Sequence, residues 1–456
     1  MDGNCNGRVP HGRIAVSSYQ PPRGMDDLLP EEMSTKRLVE EQVRRQFRLY
    51  GYEEVETPTL EYFELFEKKS GEEIRERMYV FADRHGRRLA LRPEVTPSIA
   101  RLVATRLKAA PIPMRLGYIA DCYRYDEPQW GRRRRFWQAG FEIIGSAAAE
   151  SDAEILLVSE DLFKGLGIVD QRFLVGHVGI LRAVMSEYGV GEADQDRVLG
   201  SIDRGEEETA FEVLSAAGVT TDGQAAMREL IHRSSDKVEQ MLQEGYEILR
   251  PWTGAVRCLQ NLEVILQLAK SGGLSSSVTV KLGFARGLEY YTGFVFEQYV
   301  PNVSVALNGG GRYDHLVKLF GGKDLPAVGC AVGITRIQQY LMEKGAHKGL
   351  ERWTKRVGII HTEGHDAYAL RVASRLRELG IPAELEVGGK TLPEAISHYS
   401  KKGNQLVVIV GEREETAGKV TVRNLSDRRQ LEVDLDDSEG LRKALEDSVL
   451  PPKETD

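Results

Sequence analysis

Apolar positions recur at helical spacing over residues 31–50, where Leu38, Val43, Phe47 and Tyr50 lie on one side and Gly51 supplies a stop. Residues 52–60, with Val55, Thr57 and Pro58, predict a strand carrying proline at an edge or bulge. Two extended runs, 79–81 and 88–91, flank Asp83 and Gly86, which is hairpin chemistry. A helix with proline in its first turn is predicted over 97–108, then strands over 114–125 and 136–144 joined through a basic loop. Residues 151–166 and 177–188 read as helices. Strand character resumes at 278–281, 294–299 and 327–332, and a helix over 334–344 closes the series.

The pattern changes twice. From about 190 to 272 charged helical segments dominate, which reads as a helical insertion within the first domain. Beyond a charged linker at 343–356, strand and helix alternate: strand 357–360, helix 366–379, strand 383–387, helix 392–402, strand 406–410, a hairpin over 419–433 and a final helix. That order predicts a parallel-centred sheet covered by helices. The expected organisation is α+β: a loose tail over 1–18, a first domain over 19–344 and an α/β domain over 355–450.

At 456 residues and 51.0 kDa, the chain is long enough for two or three cores. Its apolar runs are too short to cross a bilayer and its polar start lacks a signal-peptide core, so the expectation is a cytoplasmic protein without a membrane partner. Cys5, Cys122, Cys258 and Cys330 stand too far apart for a paired-cysteine zinc site and suit a reducing compartment. A net charge of −8 excludes a uniformly basic nucleic-acid coat and turns attention to local patches.

The sharpest patch runs from Tyr123 to Gln138, with four consecutive arginines, Arg132 to Arg135, between Trp130 and Phe136. Planar guanidinium forks at a loop suit phosphate clamping and base stacking; a solvated hairpin tip is the plain alternative. Arg124 precedes the loop, and strand alternation sets Gln138 and Glu142 on one face behind it. A second segment, Arg286 to Glu297, joins an arginine to Tyr290 and Tyr291 between glycines, which suits either a pocket floor or aromatic packing. Gly309 to Asp314 reads as a glycine-rich turn. Gly329 to Arg336 reads as a small-residue strand entering a helix that carries Arg336 near its start. Two matches are discounted. Gly388 to Thr391 resembles the end of a phosphate loop, but Glu384 stands where the first glycine belongs; His361 and His365 have zinc-pair spacing, but at a strand end with Gly364 between them.

Taken in order, these segments resemble the class II aminoacyl-tRNA synthetases, and within them the histidyl-tRNA synthetase family, from about residue 20 to 433. Pro22 to Pro30 is similar to the family's entry signature, the helix and strand ending at Pro58 to motif 1, Arg92 to Pro97 to the amino-acid loop, Tyr123 to Glu142 to motif 2 and Val328 to Arg336 to motif 3. Arg286 to Glu297 and Gly309 to Asp314 resemble the two histidine-specific signatures. The resemblance implies an antiparallel catalytic sheet of six or seven strands, the helical insertion, and an anticodon-binding domain at the end. It implies activation of L-histidine by ATP with Mg²⁺, transfer to tRNA(His), and a homodimer built through motif 1.

By the same resemblance, Arg124, Arg286 and Arg336 are the catalytic arginines, at the α-phosphate and γ-phosphate. Glu94, Thr96 and Gln138 receive the α-ammonium, Glu142 and Tyr291 the imidazole, with Tyr290 and Tyr313 beside them. Asp126, Arg132 and Arg134 join Arg124 and Arg336 around ATP, and no protein metal site is implied. Three positions depart from the family pattern: Asp126 replaces glutamate, shortening the reach towards adenine; Glu127 replaces arginine, removing a positive charge; and Glu289 replaces aspartate. The competing expectations are a catalytically silent regulatory subunit of ATP phosphoribosyltransferase that senses histidine, and a tRNA-binding sensor with a dead site.

Overall fold

The computed structural model describes residues 19–67, 72–286, 288–345 and 357–447. The expected tail and most of the expected linker lie outside these residues. The chain divides into two compact units between Glu343 and Lys344.

The first unit is built on a nine-stranded sheet. Its antiparallel heart runs, in spatial order, Met114–Tyr123, Arg135–Ile144, Ala327–Gly333, Asn308–Arg312, Phe294–Tyr299 and Arg172–His177. Short strands Glu53–Glu54 and Ser277–Lys281 extend it in parallel at the two sides, and Ser234–Ser235 ends it. Direct cross-strand pairs place side chains on one face, and here the two faces differ sharply. One carries Ile119, Ala139, Phe141, Ile143, Val328, Val332, Phe294 and Phe296 into the main core. The helix Pro30–Tyr50 packs there; Pro30 opens it, the Glu32 carboxylate accepts from the Leu29 N–H at 2.7 Å, and Gly51 closes it at φ 71°. Phe47 of this helix meets Phe141 edge-on, with centroids 5.0 Å apart. Helices Ala149–Gly165 and Thr253–Ser271 cover the rest of that face.

The opposite face is nearly bare. Registered pairs place Gly140, Gly309, Gly311, Gly329, Ala331 and Gly333 on it, interrupted by Tyr118, Gln138, Glu142 and Glu297. The glycine run at 309–311, read from sequence as a turn, is therefore a central strand. Its physical reason is close approach: a Cβ on Gly310 would stand 2.1 Å from the Gly329 carbonyl oxygen, and one on Gly309 would stand 2.1 Å from an Arg286 guanidinium nitrogen. The strand Arg172–His177 carries no strand reading in the sequence, and the strand read over 52–60 is reduced to Glu53–Glu54 and Leu60–Tyr62, on either side of Pro58. Leu60–Tyr62, Arg88–Leu91 and Val80–Ala82 form a separate three-stranded sheet.

Residues 190–272 hold five helices between Glu192 and Ser271. Their buried residues, such as Val198, Leu214, Leu230, Leu259 and Ile265, belong to the same core as the sheet. The second unit has a five-stranded sheet ordered Ala383–Leu385, Val357–His361, Leu406–Val410, Lys419–Asn424, Gln430–Asp434, parallel among the first three and antiparallel thereafter. It has cores of its own, one around Ile359, Val372, Val408 and Leu441 and one around Ile360, Tyr399 and Val407.

Candidate active site

The bare face of the first sheet is the floor of a cleft of about 540 Å³. Glycines there let ligand atoms reach the backbone, and the few side chains rising from the floor carry the chemistry. At one end, Glu142 is fully buried. Thr96 Oγ1 donates to its Oε1 at 2.9 Å, and the Tyr313 hydroxyl donates to its Oε2. Burial pushes its pKa up to about 8; the two hydroxyl donors oppose that shift and the nearby Glu94 carboxylate adds to it. Glu94 in turn accepts from the Tyr290 hydroxyl at 2.9 Å. Tyr290 packs on Tyr291 and Tyr313, with ring centroids 5.1 and 5.9 Å away.

The loop carrying Glu94 and Thr96 is fixed from beneath by Arg92, which is 3% exposed. Its guanidinium donates to Asp121 Oδ1 at 2.9 Å, to the Asp121 carbonyl at 2.6 Å and to the Thr57 carbonyl at 2.7 Å. Arg124 donates from Nε to the Pro93 carbonyl at 2.9 Å and lies over the Phe136 ring. Gln138 rises from the neighbouring strand and its Oε1 is 3.3 Å from the Cys122 thiol.

The other end is cationic. Arg336 is anchored by its donors to the Gly131 carbonyl at 2.9 Å and the Ala306 carbonyl at 2.6 Å. Burial, then the charges of Arg124 and Arg132, bring its pKa down to about 10, so it remains protonated at neutral pH while surrounded by like charge. Arg286 donates to the Phe296 carbonyl at 2.8 Å and stands 3.8 Å from Glu297. Burial works to lower its pKa, but Tyr291, Glu297 and Asp203 more than offset this and the net shift is upward. An anion entering between these guanidinium groups relieves their mutual repulsion.

Glu94, Thr96, Arg124, Asp126, Arg132, Gln138, Glu142, Arg286, Tyr290, Tyr291, Tyr313 and Arg336 thus line one cleft. Arg134 does not line it. It stacks on Tyr125 at 3.9 Å and donates to the Asp126 carbonyl at 3.2 Å, while Arg133 faces the cleft and pairs with Asp26 at 3.1 Å. All three departures from the family pattern have an arginine partner: Asp126 meets Arg77 at 3.0 Å, Glu127 meets Arg23 at 2.8 Å, and Glu289 meets Arg75 at 3.3 Å. The sequence reading missed Tyr118, Arg77 and Asp203, all in the lining. Tyr118 was within reach, because it pairs with Gly140 between Gln138 and Glu142 and alternation sets it on their face. Arg77 and Asp203 come from remote segments and left no local signal. Among the described residues, no three His, Cys, Asp or Glu side chains cluster to hold a metal ion. At the discounted loop, the Glu386 carboxylate accepts from the Gly388 N–H at 2.8 Å, filling the place an anion would take.

An antiparallel sheet with a glycine floor, clamped carboxylates at one end and guanidinium groups at the other defines a catalytic module of the class II aminoacyl-tRNA synthetase type. Comparison narrows this. Residues 24–337 match the family model for histidyl-tRNA synthetase, and residues 355–443 match that for an anticodon binding domain. The histidine–tRNA ligase of Methanocaldococcus jannaschii is 37% identical over 425 residues, 92% of this chain and 99% of that protein. That of Archaeoglobus fulgidus is 38% identical over 414 residues, 90% of this chain and 96% of that one. The chain belongs to the histidyl-tRNA synthetase family. Among solved structures, the histidyl-tRNA synthetase of a Nostoc species shares the fold with a TM-score of 0.75 at 21% identity, over 93% of this chain and 99% of that one. A Bacillus halodurans protein described as an ATP phosphoribosyltransferase regulatory subunit/histidyl-tRNA synthetase has a TM-score of 0.71 at 27% identity, over 86% and 98%.

Proposed function

We propose that this protein is a histidine–tRNA ligase. It joins the carboxylate of L-histidine to the α-phosphate of ATP, with release of pyrophosphate, and then passes the histidyl group to a 3′-terminal ribose hydroxyl of tRNA(His), with release of AMP. The observation that carries the reading is the polarity of the single cleft: Glu142, held by Thr96 and Tyr313, at one end, and Arg124, Arg286 and Arg336 at the other. A neutral imidazole presents one N–H and one acceptor nitrogen. Glu142 accepts from the N–H, and Tyr291 faces the ring. Glu94, Thr96 and Gln138 receive the α-ammonium, with Tyr290 and Tyr313 fixing the two carboxylates. Arg124 and Arg286 hold the α-phosphate, where charge develops during attack, and Arg336 with Arg132 holds the departing phosphates. Mg²⁺ accompanies ATP as the counter-ion of its phosphates.

The catalytic domain in this reading is residues 19–344 with its insertion at 190–272, residues 355–450 read the tRNA anticodon, and the working form is a cytoplasmic homodimer. No described helix is long and apolar enough to cross a membrane. The regulatory-subunit alternative is disfavoured by the three arginines together in the cleft and by the match over residues 355–443. Arg286→Ala tests the assignment: histidine-dependent adenylate formation should fall by about 10²-fold or more, with the melting midpoint and tRNA affinity close to wild type. Equal loss of all three would refute that role.

A further inference from the structure

Asp126 and Arg77 meet in the cleft although 49 positions separate them in the chain. Arg77 Nη1 donates to Asp126 Oδ1 at 3.0 Å, and both residues line the cavity. The contact is anchored on the main chain as well, because the Arg77 carbonyl accepts from the Tyr125 N–H at 2.7 Å. The Asp126 side chain is 11% exposed and that of Arg77 is 36% exposed. A carboxylate so enclosed is costly to hold without a cation beside it, and Arg77 supplies that cation. The pair occupies Oδ1, and among the described residues none donates to Oδ2. Asp126 therefore presents one oriented acceptor to the cleft.

We infer that Arg77 is a positioning residue for nucleobase selection, fixing the Asp126 carboxylate so that its second oxygen accepts from the exocyclic amine of adenine. The inference rests on the reading that ATP occupies this cleft beside Asp126. Its chemistry is a matter of sign. An amine donates to a carboxylate, whereas the 6-carbonyl oxygen of a hypoxanthine or guanine base is an acceptor and meets it lone pair against lone pair. The short aspartate has few rotamers with which to find the base, and the planar guanidinium reduces them further.

The test uses the full-length protein in histidine-dependent pyrophosphate exchange, with kcat and KM measured for ATP and for ITP, which lacks the amine. Asp126→Asn should lower the ATP-over-ITP preference by about 10²-fold. Arg77→Met should lower it by about tenfold with the KM for histidine unchanged, and the double variant should be no worse than Asp126→Asn, since the two act as one unit. Arg77→Lys keeps the charge without the fork and should fall between wild type and Arg77→Met, which covers a poorly folding methionine variant. If Asp126→Asn collapses the preference while Arg77→Met and Arg77→Lys retain it, or if the Arg77 variants slow ATP and ITP equally, Arg77 has no such role. An unchanged preference in Asp126→Asn overturns the placement of the base itself.

Discussion

In the proposed reading Glu142 is the residue on which amino-acid selection turns, and its environment makes two separable predictions. Burial raises its pKa from 4.5 to about 8, so between those values the folded chain keeps a proton that the unfolded chain has released. The stability this group contributes is full below pH 4.5 and is lost as pH rises to about 8. Glu142→Gln removes that dependence: thermal melts at pH 5 and pH 8 should show the variant gaining on wild type at the higher pH, while histidine activation drops by about 10²-fold. Tyr118 gives the converse case. Among the described residues its buried hydroxyl makes no hydrogen bond of good geometry, so Tyr118→Phe should leave the stability unchanged or raise it by about 1 kcal/mol. A clear loss of stability in that variant would show that the hydroxyl is satisfied in the folded chain. At this scale much of the site was legible. The spacing of Gln138 and Glu142 announced a shared face, and both stand in the cleft. Which of four consecutive arginines turn inward was not legible, because a loop has no period. Only the folded hairpin sets Arg132 and Arg133 on the cleft and Arg134 against Tyr125.

The glycine strand Asn308–Arg312 shows what an element can hide in its sequence. Composition suggests a turn, since glycine weakens a strand's intrinsic preference. The strand forms because both neighbours, Phe294–Tyr299 and Ala327–Gly333, are strong strands that pair with it along most of its length. Its adjacent glycines serve different ends. A methyl group at Gly310 would strike the backbone of Gly329 and Cys330, so Gly310→Ala should destabilise the fold by about 3 kcal/mol. A methyl group at Gly309 first meets the guanidinium end of the Arg286 side chain, so Gly309→Ala should keep the fold within about 1 kcal/mol and slow adenylate formation by about tenfold or more. Chemical denaturation and exchange kinetics on the two variants separate these outcomes. The long helices and the paired strands around the arginine loop were readable because their periods and caps agree. Arg172–His177 was not, because a short strand with neighbours on both sides carries no alternation to betray it.

At the scale of the molecule, the two units have separate cores, and every residue lining the cleft belongs to the first. A chain ending at residue 345 should therefore still exchange pyrophosphate into ATP with histidine, while its kcat/KM for charging tRNA(His) falls by about 10²-fold or more through loss of the anticodon contacts. The alternation of strand and helix made the second unit readable in the sequence. The helical block at 190–272 was readable as helices but not as a contributor to the cleft, because Asp203 reaches the lining only through the tertiary fold. The most direct measurement of the whole account is exchange of labelled pyrophosphate into ATP with Mg²⁺ and no tRNA, across the amino acids in turn. Exchange with histidine alone is the expected result. Histidine binding without any exchange would contradict the account and return the protein to a sensing role.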